Sequence, residues 1–278
     1  MPASALMNVM LAAARKAGRS LARDFGEVEN LQVSLKGPAN FVSAADHRAE
    51  EILFAELSRA RPGYGFLMEE RGEIKGADAS HRWIVDPLDG TTNFLHGIPI
   101  FSISIALERD GELVAGLVYN PADHETFMAE KGKGAFLNDK RIRVAARTEL
   151  ANAVICIGIP HAGRPNHDLF LKELRAVMAA SAGVRRMGSA ALDLAWTAAG
   201  RFDGFWEHGL RAWDVAAGIV LLREAGAYVS DTAGKDTMLQ SGGIVAGNET
   251  IQAKLLKILK AADVSAAPAK PAVKTAAT

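Results

Sequence analysis

Apolar residues recur at helical spacing from Ala5 to about Phe25, with Arg15, Lys16, Arg19 and Arg23 on the other face. That period predicts an amphipathic helix. A second stripe, Ala45, Ala49, Ile52, Leu53 and Leu57, predicts a helix from about Ser43 to Ala60, ended by Pro62-Gly63. Lys36-Gly37-Pro38-Ala39-Asn40 reads as a turn or loop between them.

Short strand signals follow. Phe66 to Met68 and Trp83 to Val85 are brief apolar runs that end in acids. Ile100 to Glu108 alternates, Asp110-Gly111 makes a hairpin turn, and Leu113 to Tyr119 returns. Thr126 to Ala129, Ala135 to Leu137 and Arg141 to Val144 add further strands. The remainder alternates between the two periods. Strands are expected at Val154 to Ile159, Val184 to Arg186, Gly204 to Glu207, Tyr228-Val229 and Gly243 to Ala246. Helices are expected at His167 to Ala180, Ala190 to Ala199, Trp213 to Ala225 and Glu249 to Ala261. The chain thus divides into an α+β half over 1–150 and an α/β half over 151–262, with helices packed on a mixed sheet. From about Ala262 the sequence turns to Ala, Pro and Lys, the composition of a disordered tail over 263–278.

Composition narrows the function. The chain has 278 residues, enough for a sizeable core. Lys plus Arg and Asp plus Glu are equal at 32 each, so no whole-protein field favours nucleic acid or an anionic membrane. The single cysteine, Cys156, sits in an apolar run and reads as a small core residue rather than half of a disulfide. No signal peptide or membrane span is visible at the N-terminus, which implies the cytoplasm.

The chemistry concentrates in Trp83-Ile84-Val85-Asp86-Pro87-Leu88-Asp89-Gly90-Thr91-Thr92-Asn93. An apolar strand delivers Asp86 at its end, and Pro87 and Gly90 predict a turn there. Asp-x-x-Asp-Gly is by itself a common turn, and its company changes the reading. Glu69 and Glu70 follow another short strand, and if the two strands are neighbours Glu69 arrives beside Asp86 and Asp89. Asp214 opens a helix that is apolar nearly all round and therefore buried. Carboxylates that converge repel, and they coexist by taking up protons or by binding cations. An oxygen-only donor set favours a hard ion, Mg²⁺ before Mn²⁺ or Ca²⁺. Such ions activate water and stabilise a leaving alkoxide. Gly90 lets backbone N–H groups approach a phosphate, and the Thr91 hydroxyl adds a donor.

These stretches are familiar. Trp83 to Phe94 resembles the first signature of the inositol monophosphatase family, and Trp213-Asp214-Val215-Ala216-Ala217-Gly218 through Glu224-Ala225-Gly226 resembles its second. The Glu69-Glu70 pair, Lys36 and Asp46 also fall where that family has them, and the likeness extends over about residues 5 to 262. The stretches Arg186 to Ala195 and Gly209 to Asp214 look most like the bacterial inositol-1-monophosphatases. The resemblance implies a layered αβαβα sandwich, a homodimer, two to three Mg²⁺ ions and inhibition by lithium. It implies that Glu69, Asp86 and the Leu88 carbonyl hold one ion. Asp86, Asp89 and Asp214 would hold a second, and Glu69 would touch a third. Thr91, supported by Asp46, would orient the attacking water. Gly90 and Thr91 would bind phosphate, and Asp89, the Ala190 N–H and Glu207 would face the alcohol.

The implied substrate is myo-inositol monophosphate or a related polyol phosphate. Related substrates are fructose bisphosphate, adenosine bisphosphate, NADP and histidinol phosphate, because the same acids serve any leaving group. Glu207 favours a neutral polyhydroxy alcohol over a second phosphate. Bacterial proteins of this kind are also associated with the transcription machinery, for which Arg185, Arg186 and Arg211 offer a basic patch. Balanced charge argues against direct nucleic-acid binding. His161 and His167 lie in a segment that can shape substrate choice, although single histidines are more often surface residues.

Overall fold

The computed structural model describes residues 4–27, 33–37 and 40–264. The first half runs α1 (Ala5–Phe25), β1 (Val33–Gly37), β2 (Asn40–Ser43), α2 (Ala44–Ala60), β3 (Tyr64–Met68), β4 (Gly72–Ile74), β5 (Asp78–Asp89) and α3 (Thr91–Leu95). A meander follows: β6 (Ser102–Arg109), β7 (Glu112–Asn120), β8 (Glu125–Glu130), β9 (Gly134–Leu137) and β10 (Lys140–Arg141). The second half comprises β11 (Val154–Ile157), α4 (His167–Met178), β12 (Gly183–Arg185), α5 (Ala190–Ala198), β13 (Gly204–Glu207) and α6 (Ala212–Glu224). It ends with β14 (Tyr228–Ser230), α7 (Met238–Ser241), β15 (Ile244–Gly247) and α8 (Glu249–Val264).

The eight-stranded sheet has the order β10-β9-β8-β7-β6-β5-β3-β4, and the five-stranded sheet β12-β11-β13-β15-β14. In the larger sheet β3 and β5 run parallel and the rest antiparallel. Strand alternation sorts the side chains into three cores. Trp83, Val85, Ile103, Ile105 and Leu107 face α1 and α2. Ile84, Ala106 and Val118 face the opposite way, onto α5 and α6. The smaller sheet gives Cys156, Phe205, Ile244 and Ala246 to that same central core. Its other face, with Ile155, Ile157, Trp206 and Val245, packs on α4 and α8. The five layers are therefore α1/α2, large sheet, α5/α6, small sheet and α4/α8, the expected αβαβα sandwich.

Helix α6 is buried from Val215 to Leu222 because sheets cover it on both sides. Close contact with β7 depends on Gly116, where an added Cβ would lie 2.5 Å from the Ala217 carbonyl oxygen.

Several boundaries differ from expectation. The Asp86-Pro87 step is a bulge within β5, and the chain turns only at Gly90. Proline lacks the N–H a regular ladder requires, and a bulge tolerates that loss. The Arg141 to Val144 strand reduces to Lys140–Arg141. The first strand of the second half stops at Ile157, α4 at Met178, and α8 continues to Val264, into the segment assigned to the tail. The Lys36 to Asn40 turn falls between paired strands β1 and β2. Its Pro38-Ala39 step and the tail from residue 265 lie outside the described residues. Short elements β4, α3 and α7 carry too few residues to show a period. Among the described residues no helix is long and apolar enough to cross a membrane.

Gly116→Ala is expected to destabilise the fold by about 1–3 kcal/mol, because a backbone carbonyl cannot yield as a flexible side chain does. Urea unfolding measures it. An unchanged midpoint would show that α6 does not press on β7 as described.

Candidate active site

Alternation places the first three acids. Met68 and Val85 are register partners and face α1/α2, so the next residues, Glu69 and Asp86, turn to the inner face. The Glu69 N–H donates to the Val85 carbonyl at 3.3 Å. Asp86 pairs with Ser104, and Asp89 with Ser102. Two residues on β5, Pro87 and Leu88, thus stand opposite one on β6, Ile103. The extra residue keeps Asp86 and Asp89 on one face, which a regular strand would not.

The two serines connect that face to the central helices. Ser104 Oγ donates to the Trp213 carbonyl at 3.1 Å, which ties the first turn of α6, with Asp214, over Asp86. Ser102 Oγ lies 3.2 Å from Ser189 Oγ, at the start of α5. Ser189 Oγ and the Ala191 N–H donate to Asp89 Oδ2 at 2.6 and 2.7 Å. The Arg211 N–H donates to Asp214 Oδ2 at 2.7 Å. Helices α5 and α6 therefore aim their positive ends at the acids.

Gly90 stands at φ +93°, and a Cβ there would come within 3.0 Å of the Ile100 carbonyl, so only glycine fits. It places Thr91 at the first position of α3. The Thr91 hydroxyl lies 3.0 Å from Asp46 Oδ1 and 3.1 Å from the Leu88 carbonyl, and its one proton serves either acceptor. Asp46 Oδ2 accepts from the Ser43 N–H at 2.8 Å and the Ser43 hydroxyl at 2.6 Å, the capping box of α2. The Leu88 N–H donates to Asp86 Oδ1 at 3.0 Å.

A polar cavity of about 180 Å³ opens above these groups, with Glu69, Asp89, Gly90, Thr91, Glu207 and Asp214 in its wall. Burial raises the Asp46 and Asp89 carboxyls to about 6 and Asp214 to about 7. Desolvation, then the charges of Glu69, Asp89 and Asp214, lift Asp86 well above the ordinary range. Glu207 is raised by burial first and by Asp193, Asp214 and Asp89 next. No Lys or Arg among the described residues forms an ion pair with Asp86, Asp89 or Asp214.

This donor set fits hard divalent cations: oxygen ligands, excess negative charge and no competing salt bridge to those three acids. Among the described residues no three His, Cys, Asp or Glu side chains already converge on a single point.

Of the expected site residues, Glu69, Asp89, Gly90, Thr91, Ala190, Glu207 and Asp214 line the cleft, whereas Asp46, Asp86 and Leu88 are buried beneath it, Asp46 and the Leu88 carbonyl within reach of the Thr91 hydroxyl and Asp86 bonded to the Leu88 N–H. Lys36 lies in β1, and its side chain is outside the described residues. His161 lines the cavity while His167 does not; His167 Nε2 instead lies 3.2 Å from the His161 carbonyl. Arg164 Nε donates to His161 Nε2 at 3.2 Å. Arg185, Arg186 and Arg211 are all exposed, and of the three Arg186 lines the cavity.

Sequence reasoning missed Ser102, Ser104, Ser189, Asp193 and Arg164. Ser102 and Ser104 had a signal, since hydroxyls alternate with isoleucines in an otherwise buried strand. Asp193 had one too, as the lone acid in a helix buried throughout. Arg164 lies on an irregular segment and had none.

The fold and cleft define a class: an αβαβα protein with carboxylates gathered where two central helices begin. The chain belongs to the inositol monophosphatase family, whose model matches residues 3–263. It is 66% identical over 260 residues to an inositol-1-monophosphatase of Mesorhizobium japonicum, covering 94% of this chain and 98% of that one. A putative Nus factor SuhB of Neisseria meningitidis is 45% identical over 255 residues, covering 92% and 98%. The crystal structure of extragenic suppressor protein suhB from Bartonella henselae superposes with a TM-score of 0.91 at 61% identity, covering 92% of this chain and 99% of that chain.

The raised carboxyls give stability without divalent ions a definite pH dependence. Unfolded aspartate titrates near ~4, whereas these groups titrate at about 6 to 7 when folded. The folded chain binds more protons between those values, so stability falls as pH rises through them. With chelator, the melting temperature should drop between pH 5 and pH 8. A millimolar hard divalent cation should restore it at pH 8 and do little at pH 5, where protons already neutralise the acids. A chelated protein more stable at pH 8 would contradict the arrangement of charges.

Proposed function

We propose that this chain is a Mg²⁺-dependent phosphatase of myo-inositol monophosphate and related polyol phosphates. The observation that carries this reading is the meeting of Glu69, Asp86, Asp89 and Asp214, from distant parts of the chain, beside the Gly90-Thr91 turn. Family membership supports it, as does likeness to proteins named inositol-1-monophosphatase.

In this reading Glu69, Asp86 and the Leu88 carbonyl hold one ion. Asp86, Asp89 and Asp214 hold a second, and Glu69 contributes to a third. When bound, the ions lower the pKa of water and neutralise charge on the phosphate and the departing oxygen. The chain's own groups do the rest. The N–H groups of Gly90 and Thr91 grip the phosphate oxygens. Thr91 accepts a hydrogen bond from the attacking water while donating its own proton to Asp46, which fixes the direction of attack. Asp46, held at about 6, is mostly ionised at neutral pH and can take that proton. Across the cavity Asp89, the Ala190 N–H and Glu207 face the alcohol. Glu207 suits hydroxyl donors and opposes a second phosphate, which favours a polyol monophosphate over fructose 1,6-bisphosphate, adenosine bisphosphate or NADP. The enzyme works in the cytoplasm as a homodimer and is sensitive to lithium.

A second reading rests on relatives named Nus factor SuhB: a role in transcription complexes alongside activity. Exposed Arg185 and Arg211 offer contacts for it. An Asp86→Asn variant that lacks turnover yet stays with transcription complexes would support that role.

Asp89→Asn should lower turnover of myo-inositol 1-phosphate on the order of 100-fold or more while leaving the circular dichroism spectrum unchanged. A panel of metabolite phosphates, assayed with and without Mg²⁺, tests the substrate class. Near-normal Asp89→Asn activity, or equal rates without Mg²⁺, would end the assignment.

A further inference from the structure

Helix α2 carries two buried acids one turn apart, Asp46 and Glu50, at 1% and 2% exposure. Asp46 meets Thr91. Glu50 meets the turn that follows Glu69. Its Oε2 accepts from the Glu70 N–H at 2.9 Å and the Arg71 N–H at 3.3 Å. Its Oε1 lies 3.3 Å from Arg71 Nε, and that guanidinium covers the Phe54 ring at 4.8 Å. These N–H groups belong to the turn between β3 and β4, closed by the Met68–Gly72 pair.

Glu69 is the first residue of that turn. Its own N–H is tied to Val85. The backbone is thus pinned on both sides of Glu69, by the sheet before it and by Glu50 after it. A hairpin turn needs no such anchor for its own sake, and a buried carboxylate is costly to place under one. The anchor is explained if the direction of the Glu69 side chain matters.

We infer that Glu50 is a positioning residue: through the Glu70 and Arg71 N–H groups it holds the Glu69 carboxylate where a divalent cation binds, an inference that rests on the proposed metal role of Glu69. Outer helix α2, which touches no ion, then sets metal affinity from behind the sheet. Ligands held by a hydrogen-bonded shell bind metal about 10–100-fold more tightly than ligands left loose.

The test is Mn²⁺ binding to the full chain, followed by water proton relaxation below the melting temperature of every variant. Glu50→Ala should raise the Mn²⁺ dissociation constant by about tenfold or more. Glu50→Gln keeps an oxygen for both N–H groups and should recover most of the affinity. Leu57→Ala truncates the core on the same helix; it should lower the melting temperature and leave Mn²⁺ binding unchanged. Wild-type affinity in Glu50→Ala would overturn the inference, as would equal weakening in Leu57→Ala. Should Glu50→Ala fail to fold, Glu50→Asp withdraws the carboxylate by one methylene, and wild-type affinity there overturns it equally. A wild-type chain that binds no Mn²⁺ removes the metal reading and this inference with it. Binding that ignores Glu50 removes this inference alone.

Discussion

Mutual repulsion among buried carboxylates is the constraint around which this protein is arranged. Burial first, and neighbouring charge next, raises the affinity of Asp86, Asp89 and Asp214 for protons: Glu69 acts on all three, Asp89 on Asp86 and Asp214, and Asp214 on Asp86. Left alone, such groups would spread into solvent. The chain prevents this by tying each to backbone or hydroxyl donors: Asp86 to the Leu88 N–H, Asp89 to the head of α5, Asp214 to the head of α6. The remaining charge is a standing attraction for cations, which is how an acid cluster becomes a metal centre.

The layering of the sandwich follows from the same need. A parallel pair, β3 and β5, brings Glu69 and Asp86 out at the same end of the sheet. The bulge after Asp86 then spends one residue to keep Asp89 on the inner face. The central helices lie between two sheets, so their first turns, with unpaired N–H groups, end at that edge. On the outer side α2 supports the cleft through Asp46 and Glu50, joining a layer that carries no proposed ligand to the chemistry. Rigidity at the site therefore comes from several layers at once, which suits a reaction controlled by positioning and charge.

Polarity across the cavity separates two tasks. In the proposed reading Gly90 with Thr91 presents donors suited to phosphate, and Glu207, which lines the same cavity, presents an acceptor suited to hydroxyls. Proteins named inositol-1-monophosphatase and putative Nus factor SuhB are both similar to this chain over nearly all of its length, at 66% and 45% identity.

Much of this was legible from the residues alone. The helical stripes of α1 and α2, the β6–β7 hairpin and the buried α6 follow from hydrophobic period, because burial on one face leaves a periodic record in the chain. Glu69, Asp86, Asp89 and Asp214 stood out because acids at the ends of apolar runs need a reason to be there. Ser104 under Asp214, Ser189 on Asp89 and Glu50 behind Glu69 were not legible in this way. Each is a contact between segments separated in sequence, and a hydrogen bond across such a gap leaves no periodic trace. Sequence determined which groups could do the chemistry; the register of β3, β5 and β6 and the stacking of helices on sheets decided that they meet, since only packing brings distant residues within reach of one another.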